Sequence, residues 1–403
     1  MAKLPCMLAV SAAVCALLSG CYNPFETAAS VSTSTVQSTS DGSAGTVQKS
    51  SSPVTTDPEP SRKAASSVSM PAASSPTTSS PTTSSPTTSA PATDGSATGS
   101  AAANLADRPI PAASSSVSVT TLRVRPTSEV APLAVDGVGA MRISCGYSHM
   151  AFDDPIVFPG KPGASHLHTF FANSSTDGNS TTESLFAAGS TCSGGNANRS
   201  AYWVPSMVDS ATMRAVVPSS VLVYYKSGYN SIPLKQIQAP PNGLRVIAGN
   251  AVTQSSPKDD WDVWHYFECD GANRNQSIPA CQGGKVLSVT VIFPNCWDGV
   301  NLDSVDHRSH MSYPVQGLCP ASHPVAVPVV SLNVYYDVPN GESTANWRLS
   351  SDNYAKTIPA GYSMHADFWI DWDESIKAAW MDGCVRAGRD CHAHLVGDGR
   401  EYY

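Results

Sequence analysis

Eight cysteines constrain the fold of this 403-residue chain more than any other feature. They lie between residues 135 and 403 and are Cys145, Cys192, Cys269, Cys281, Cys296, Cys319, Cys384 and Cys391. An even number of cysteines behind a secretion signal is typical of an oxidising compartment and predicts up to four disulfide bonds. The spacing does not determine their pairing. None has the CxxC spacing of a structural zinc site.

The N terminus has the pattern of a secretory signal peptide over residues 1–20. Lys3 is followed by an apolar run from Leu4 to Leu18 and by small residues directly before Cys21. This run is too short for a spanning helix, which needs about 20 residues. The segment Leu18-Ser19-Gly20-Cys21 resembles the lipobox of bacterial lipoproteins, in which the cysteine carries acyl chains such as palmitate. We therefore expect Cys21 to be the lipidation site, with the membrane as partner. The alternative is an ordinary signal peptide with a chance cysteine.

Residues 21–134 are predicted to form a disordered stalk behind the lipidated cysteine. Ser, Thr, Ala and Pro dominate to about Ser118, and SSPTT occurs three times in tandem between Ser74 and Thr88. Such a segment has too few large apolar residues to offset the entropy cost of ordering. Ser/Thr/Pro stalks are common sites of O-glycosylation, and an unmodified spacer is the alternative. The predicted location is the outer face of the cell membrane.

The remaining domain, residues 135–403, is expected to be mainly β. Apolar and β-branched runs begin at Val221, Leu244, Val286 and Val325, with Pro, Gly and Asn between them. One helix is predicted from about Glu374 to Arg386, behind an acidic start. No repeated βαβ alternation is present. The prediction is a disulfide-bonded antiparallel β-sandwich, jelly-roll-like, with long loops and a C-terminal helix.

The charge distribution argues against nucleic acid as a partner. The formal net charge is -8, and no basic run of nucleic-acid-binding type occurs. Direct electrostatic docking on anionic lipid is disfavoured for the same reason.

Four polar segments place His, Asp and Trp among turn residues. They span Asp154–Phe171, Phe293–Pro314, Cys319–Pro328 and His365–Asp373. Together with Thr191-Cys192, Ser200–Pro205 and Gly243-Leu244-Arg245, they closely resemble DUF1996, a domain of unknown function in secreted and surface proteins of fungi and bacteria. The resemblance implies an extracellular domain and supplies no established reaction. One departure is Ala172, where the family typically has Gly; this exchange is tolerated unless the position needs a positive φ.

Histidine pairs in these segments predict a metal site. In an extended strand, His166 and His168 face the same side while Leu167 points to the other. Such a pair chelates zinc or copper if a third ligand arrives from elsewhere. His307 with His310 would share a face in a helical turn, and His365 repeats the i, i+2 relation with Asp367. We therefore predict that the three pairs converge. The alternative is that the histidines bond backbone carbonyls and hold loops together.

Carboxylates in the same segments offer a metal-free alternative. Glycoside cleavage needs two carboxylates, and a histidine beside an aspartate can act as a general base. Asp306, Asp367 and His365 are the predicted catalytic residues, although aspartates also cap turns and helices. Serine-hydrolase chemistry is disfavoured because no GxSxG motif is present. The aromatic run from Trp261 to Phe267 suits either a carbohydrate groove or the core.

The sequence therefore predicts a surface lipoprotein whose β-rich domain acts on extracellular or cell-wall polysaccharide through a His/Asp cleft. The enzyme class would be a polysaccharide hydrolase or lyase, and zinc or copper are the candidate ions. A non-catalytic glycan-binding or metal-binding surface protein is the alternative. No organic cofactor is predicted.

Overall fold

The structure is a computed structural model that describes Arg108 and residues 110–112, 118–255, 264–355 and 357–403. All of them belong to one unit, Gly95–Tyr403. The predicted signal peptide, Cys21 and most of the predicted stalk lie outside the described residues. Among the residues described, no helix combines the length and the apolar character needed to span a membrane.

Short strands joined by long loops make up most of the described chain. The strands are β1 (Val124–Pro126), β2 (Ala140–Cys145), β3 (Tyr147–Ala151), β4 (His168–Ala172), β5 (Ala201–Pro205), β6 (Met207–Asp209), β7 (Arg214–Ala215), β8 (Ser220–Lys226), β9 (Arg245–Gly249), β10 (His265–Cys269), β11 (Val286–Ile292), β12 (Cys296–Trp297), β13 (Met311–Ser312), β14 (Val325–Ala326), β15 (Val329–Asp337), β16 (Trp347–Leu349), β17 (His365–Trp369) and β18 (Arg400–Tyr402). The α-helices are α1 (Thr182–Ala187) and α2 (Glu374–Trp380), the 3-10 turns are Leu234–Gln236 and Thr344–Asn346, and a π-helical turn follows α2 at Met381–Val385.

Two five-stranded antiparallel sheets form a sandwich. Sheet A has the order β10-β11-β15-β8-β2 and sheet B the order β3-β4-β5-β17-β9. Alternate residues of sheet A, such as Val289 and Val334, share one buried apolar cluster with Val204 and Phe368 of sheet B. This period-2 pattern buries one face of each sheet against the other. The predicted mainly β, antiparallel fold with four disulfides and a C-terminal helix is confirmed.

Sheet B is buried on both faces. Every residue of β4, β5 and β17 is buried. On the face turned away from sheet A, Phe170, Trp203 and Trp369 form a second apolar cluster with Ile156 and Leu185 of the covering segments. We call this the outer face of sheet B. It is a protected surface rather than a solvent-facing one, and it carries the candidate site.

The C-terminal helix starts where the sequence predicts. Asp373 caps it by accepting hydrogen bonds from the backbone N–H groups of Ser375 and Ile376. Trp380 is fully buried against Tyr225 and Trp372. The helical path continues through the π-helical turn to Val385, so the apolar stripe reaches the buried Cys384.

Each of the eight cysteines in the described part of the chain pairs with its neighbour in the sequence. The four bonds are Cys145–Cys192, Cys269–Cys281, Cys296–Cys319 and Cys384–Cys391. Each bond therefore closes a local loop. In the chain-entropy account, closing the 47-residue Cys145–Cys192 separation stabilises the fold by about 4 kcal/mol.

The folded part extends toward the N terminus beyond residue 135, the boundary expected from composition. β1 pairs with β18, so residues 124–126 are held against the C-terminal strand. Val119 exchanges backbone hydrogen bonds with Ser190, and Ala131 is buried in the main apolar cluster. The composition of residues 118–134 does not reveal this, because backbone pairing such as that of β1 with β18 does not depend on large apolar side chains.

Ala172 adopts a conformation that favours glycine. It ends β4 with φ of 64° and is fully buried. A left-handed conformation costs about 1–2 kcal/mol for a residue with a Cβ atom. The glycine typical of the family at this position thus has a backbone reason, and this chain carries strain there.

We expect Ala172→Gly to stabilise the domain by about 1 kcal/mol, because it removes that strain at some entropic cost. Ala201, the register partner of Ala172 on β5, is the matched control, since it is equally buried without a positive φ. Ala201→Gly should destabilise by about 1 kcal/mol. Equilibrium denaturant unfolding of the oxidised protein measures both changes. The backbone strain at Ala172 would be contradicted if neither substitution stabilised the protein, or if both did.

Candidate metal centre

Three histidines meet on the outer face of sheet B. β5 lies between β4 and β17; His168 pairs with Pro205, and Asp367 pairs with Trp203, two residues before Pro205. His365 is therefore level with His168 across β5. His166 precedes β4 by two residues, and its ring centroid lies 4.3 Å from that of His168. Leu167 between them is buried in another apolar cluster, as the alternation predicts.

The imidazole Nε2 atoms point at one another. The Nε2 atom of His365 lies 3.2 Å from that of His166 and 3.2 Å from that of His168. Four ligands in tetrahedral geometry with metal–nitrogen bonds of 2.0–2.1 Å stand about 3.3 Å apart. The spacing thus matches the first coordination shell of a transition metal.

In two of the three rings, those of His168 and His365, a backbone carbonyl determines which nitrogen is free. His168 donates from Nδ1 to the carbonyl oxygen of Asp153 at 2.8 Å, and His365 donates from Nδ1 to that of Ser363 at 2.9 Å. A carbonyl oxygen only accepts, so Nδ1 carries the proton and Nε2 keeps its lone pair in the neutral ring. A hydrogen bond from the far ring nitrogen to a carbonyl oxygen is the arrangement that orients metal-binding histidines.

The rings are neutral near pH 7. Burial lowers the pKa of His168 to about 4 and, together with the neighbouring His168, lowers the pKa of His365 to about 3. Burial, followed by the two neighbouring rings, places the pKa of His166 well below its usual value. Two lone pairs facing each other at 3.2 Å repel, and a shared cation removes that repulsion.

Two carboxylates adjoin the histidines. Ligand atoms of Asp154, His168 and Asp367 lie within 4.8 Å of one another, as do those of the three histidines. Asp367 is 1% exposed, and neither carboxylate oxygen has a hydrogen-bond partner. Burial, and then the charge of Asp154, raise the pKa of Asp367 well above its usual value. A buried carboxylate without hydrogen bonds is costly unless a cation compensates it.

Asp154 and Asp153 anchor the segment that brings these groups together. Asp154 Oδ1 accepts hydrogen bonds from the N–H groups of Ile156 and Val157, and burial raises the pKa of this carboxyl. The carboxylate of Asp153 accepts from the N–H groups of Gly163 at 2.7 Å and Gly178 at 3.0 Å. Neither aspartate was singled out from the sequence as a site residue. The sequence signal that points to them is their position, because both stand at the start of the segment that ends in His166 and His168.

Two predicted metal ligands, His307 and His310, do not join the cluster. His310 lies with Nε2 2.7 Å from the carbonyl oxygen of Arg245 and Nδ1 2.9 Å from Ser304 Oγ. His307 Nδ1 contacts the carboxylate of Asp303 at 2.9 Å. The structure thus brings together three of the five histidines. His310 bonds a backbone carbonyl of β9 and so holds its loop to the edge of sheet B, as in the alternative interpretation, whereas His307 bonds a carboxylate of its own loop.

The three predicted catalytic residues do not all lie in one place. His365 and Asp367 are neighbours on one face of β17, whereas Asp306 is exposed and caps its own turn. Its Oδ1 accepts hydrogen bonds from Ser304 Oγ and from both the N–H and Oγ of Ser309. These bonds, led by the Ser309 N–H, lower the pKa of Asp306. Its contacts are those of a turn residue.

The other polar and aromatic candidates have structural contacts. Asp298 caps the turn at Val300, and Asp303 pairs with Arg245 at 2.9 Å. Tyr266 and Phe267 are buried, so the described end of the aromatic run belongs to the core. Trp261 to Val263 lie outside the described residues.

The fold and site define a class: a disulfide-bonded antiparallel β-sandwich with three histidines and two aspartates gathered on the outer face of one sheet. The chain belongs to the family of DUF1996, a domain of unknown function, whose model matches residues 154–372. Both aspartates and all three histidines lie within the matched range, which begins at Asp154. No curated protein and no solved structure matches the chain.

Asp367→Asn should stabilise the metal-free protein by about 1 kcal/mol at pH 8, because it removes a buried charge without partners. The folded pKa of Asp367 is raised, so the folded state holds a proton that the unfolded state has released. Stability contributed by this group therefore falls as pH rises from about 4 through the folded pKa. The gain in the variant should grow over that interval, as measured by urea unfolding after chelator treatment.

Asp352→Asn is the matched control. This carboxylate is also largely buried but accepts hydrogen bonds from Leu349, Gly361 and Ser363. An amide cannot accept all of them, so the variant should lose about 1–3 kcal/mol. Equal losses of stability in Asp367→Asn and Asp352→Asn would contradict the finding that the Asp367 carboxylate has no hydrogen-bond partner.

Proposed function

We propose that the domain binds one transition-metal ion, Zn²⁺ or Cu²⁺, through His166, His168 and His365, and that it acts on extracellular or cell-wall polysaccharide. The observation that carries the metal-binding part is that the Nε2 atom of His365 lies 3.2 Å from the Nε2 atoms of both His166 and His168, all in neutral rings. Asp367 is the candidate for a fourth ligand, because its buried carboxylate lies close to His168 and has no hydrogen-bond partner.

The ligand chemistry favours zinc or copper over magnesium or calcium. Imidazole nitrogen suits zinc and copper, whereas the hard alkaline-earth ions select oxygen ligands. A bound ion would supply Lewis acidity at this point. His168 and His365 are buried, and His166 is the more exposed ligand, so substrate would approach from the side of His166.

The chain's own residues supply acid–base groups at the same place. Asp154 and Asp367 are two buried carboxyls whose raised pKa values favour proton uptake. Glycoside hydrolysis and lyase reactions both need groups that hold and move a proton beside the scissile bond. Asp154 is therefore a better-placed partner for Asp367 than Asp306 is.

The proposals of a polysaccharide substrate and of a membrane location are both based on the N-terminal segment. The lipobox-like Leu18–Cys21 and the Ser/Thr/Pro-rich segment are the features of a domain held away from a membrane by a lipid anchor. A domain in that position meets the polymers of the cell surface. We therefore propose a surface lipoprotein anchored through Cys21.

A non-catalytic metal-binding protein is the second candidate. The burial of His168, His365 and Asp367 favours it, because a deeply enclosed ligand set suits capture of an ion as well as catalysis. The two functions differ in turnover, since capture alone predicts metal binding with no cleavage of any polysaccharide.

Metal analysis of protein purified without a His tag tests the proposal. We expect about one zinc or copper ion per chain after loading and dialysis, and at least a hundredfold weaker affinity in His168→Ala. His323→Ala is the control, because His323 contacts Ser322 and Ser309 away from the cluster. Its metal content should equal that of the wild type.

A metal content far below one ion per chain after loading with either ion would refute the metal centre. Polysaccharide cleavage is then assayed with loaded and chelator-treated wild type. Cleavage that requires the ion supports the enzyme. Stoichiometric metal with no cleavage across neutral and acidic polysaccharides supports the capture function.

A further inference from the structure

The turn that leads into β17 sets the direction of one of the three clustered histidines. The N–H group of Met364 bonds the carbonyl oxygen of Gly361 at 3.1 Å, which closes a turn over residues 361–364. Within this turn, the carbonyl oxygen of Ser363 accepts the hydrogen bond from Nδ1 of His365 at 2.9 Å. The direction of the His365 ring therefore depends on how firmly the turn is held.

The carboxylate of Asp352 holds this turn. Its Oδ2 atom accepts the N–H group of Gly361 at 2.8 Å, and its Oδ1 atom accepts the hydroxyl group of Ser363 at 2.7 Å. Oδ1 also accepts a longer bond from the N–H group of Ser363 at 3.4 Å, and Oδ2 accepts the N–H group of Leu349 at the end of β16. One carboxylate thus binds the turn at two residues and joins it to another strand.

The hydroxyl group of Ser363 is fixed from two sides. A carboxylate only accepts, so the Ser363 hydroxyl donates its proton to Asp352. Ser351 Oγ lies 2.7 Å from Ser363 Oγ and is therefore the donor in that contact. Ser363 is 2% exposed, so a shift of the turn would leave buried polar groups without partners, which is unfavourable. These bonds hold the Ser363 carbonyl in place.

The same arrangement occurs at the neighbouring histidine. The carbonyl oxygen that accepts Nδ1 of His168 belongs to Asp153, whose buried carboxylate accepts the N–H groups of Gly163 and Gly178. Both rings are thus oriented by a carbonyl oxygen in a segment that a carboxylate holds. At His168 the carbonyl and the carboxylate belong to one residue. At His365 they belong to two residues, so the carboxylate can be changed while the residue that supplies the carbonyl stays.

The His365 ring needs this restraint because a second hydrogen bond competes with the first. Its Nε2 atom lies 3.2 Å from the Nε2 atoms of His166 and His168, where facing lone pairs repel. In the other tautomer the proton would lie on Nε2 and would form a hydrogen bond to one of those two rings. The Ser363 carbonyl, which only accepts, keeps the proton on Nδ1 and disfavours that state.

We propose that Asp352 is a positioning residue of the metal centre. By holding the turn before β17 it fixes the Ser363 carbonyl, and it thereby keeps Nε2 of His365 free to bind the ion. The inference rests on the proposed function, because it takes an ion to be what the three Nε2 atoms bind. Asp352 acts through Ser363 and is not itself a ligand. Substitution of such outer partners changes metal affinity about 10–100-fold.

Long-range proton–nitrogen NMR correlation of the metal-free protein, with isotope-labelled histidine, shows which ring nitrogen carries the proton. In the wild type we expect the Nδ1–H form for both His168 and His365. In Asp352→Asn the amide cannot accept all of the bonds that hold the turn, so His365 should populate the Nε2–H form. His168 should keep the Nδ1–H form. A role of Asp352 in stability alone would leave both tautomers unchanged.

Zinc titration of the full-length protein against a competing chelator gives the second measurement. Asp352→Asn should bind zinc about 10–100-fold more weakly than the wild type. Ser363→Ala keeps the backbone carbonyl and removes the hydroxyl group, so it should lower the affinity in the same direction. It leaves the Asp352 bonds to Gly361 and Leu349 in place, and both measurements on it decide the question if Asp352→Asn fails to fold.

Asp373→Ala is the matched control. The Asp373 carboxylate also accepts two N–H groups and one hydroxyl group, but these belong to Ser375 and Ile376 at the start of α2. This variant should lose stability and keep the zinc affinity and the histidine tautomers of the wild type. Wild-type zinc affinity in Asp352→Asn would overturn the proposal. So would a loss of affinity of the same size in Asp373→Ala.

The two measurements separate this inference from the proposed function. If the wild type takes up no zinc or copper, the metal centre is refuted, and the tautomer of His365 alone decides whether Asp352 positions the ring. If the wild type binds one ion and Asp352→Asn changes neither the His365 tautomer nor the affinity, the positioning role alone is refuted.

Discussion

Two hydrogen bonds from imidazole Nδ1 atoms to backbone carbonyls set the chemistry of the site. His168 bonds the carbonyl of Asp153 and His365 that of Ser363, so both rings direct a lone pair to the same point. Without those carbonyls either ring could turn its N–H group inward, and the pair would form an ordinary hydrogen bond. The loops before β4 and β17 therefore matter as much as the histidines, because they fix the direction of each ring.

The sandwich provides the rigidity that such a site requires. Asp367 is buried without a partner, and Ala172 is held in a left-handed conformation on the neighbouring strand β4. Each feature lowers the stability of the isolated fold. Two packed sheets and four local disulfides supply stability that offsets them. Both of these costly features lie in the sheet that carries the histidines.

Much of the fold followed from local sequence patterns. Alternation in β11 and β15, the acidic cap of α2 and the even cysteine number each specify a short-range property, and these were predicted. The i, i+2 relation of His166 with His168 and of His365 with Asp367 is equally local. The two pairs meet in space because β5 lies between β4 and β17. The spacing of residues in the sequence does not reveal this strand order.

Misleading signals came from turn chemistry. His307, His310 and Asp306 have the residue types of a metal or catalytic site, yet an Asp-rich loop satisfies its own backbone with the same groups. Asp154 was overlooked because an aspartate before proline reads as a turn residue. Its burial beside Asp367 arises only when the segment that contains it folds back over sheet B.

The Cys296–Cys319 bond encloses residues 302–310, the loop that runs along β9, between its two ends. A chain whose thiols are still reduced lacks that closure, and the loop is then tied to the sheet by hydrogen bonds alone. Oxidation of this cysteine pair thus completes the covalent closure of the loop beside β9. Closure of the loop therefore depends on the redox environment, whereas the strands that carry His168 and His365 contain neither of these cysteines.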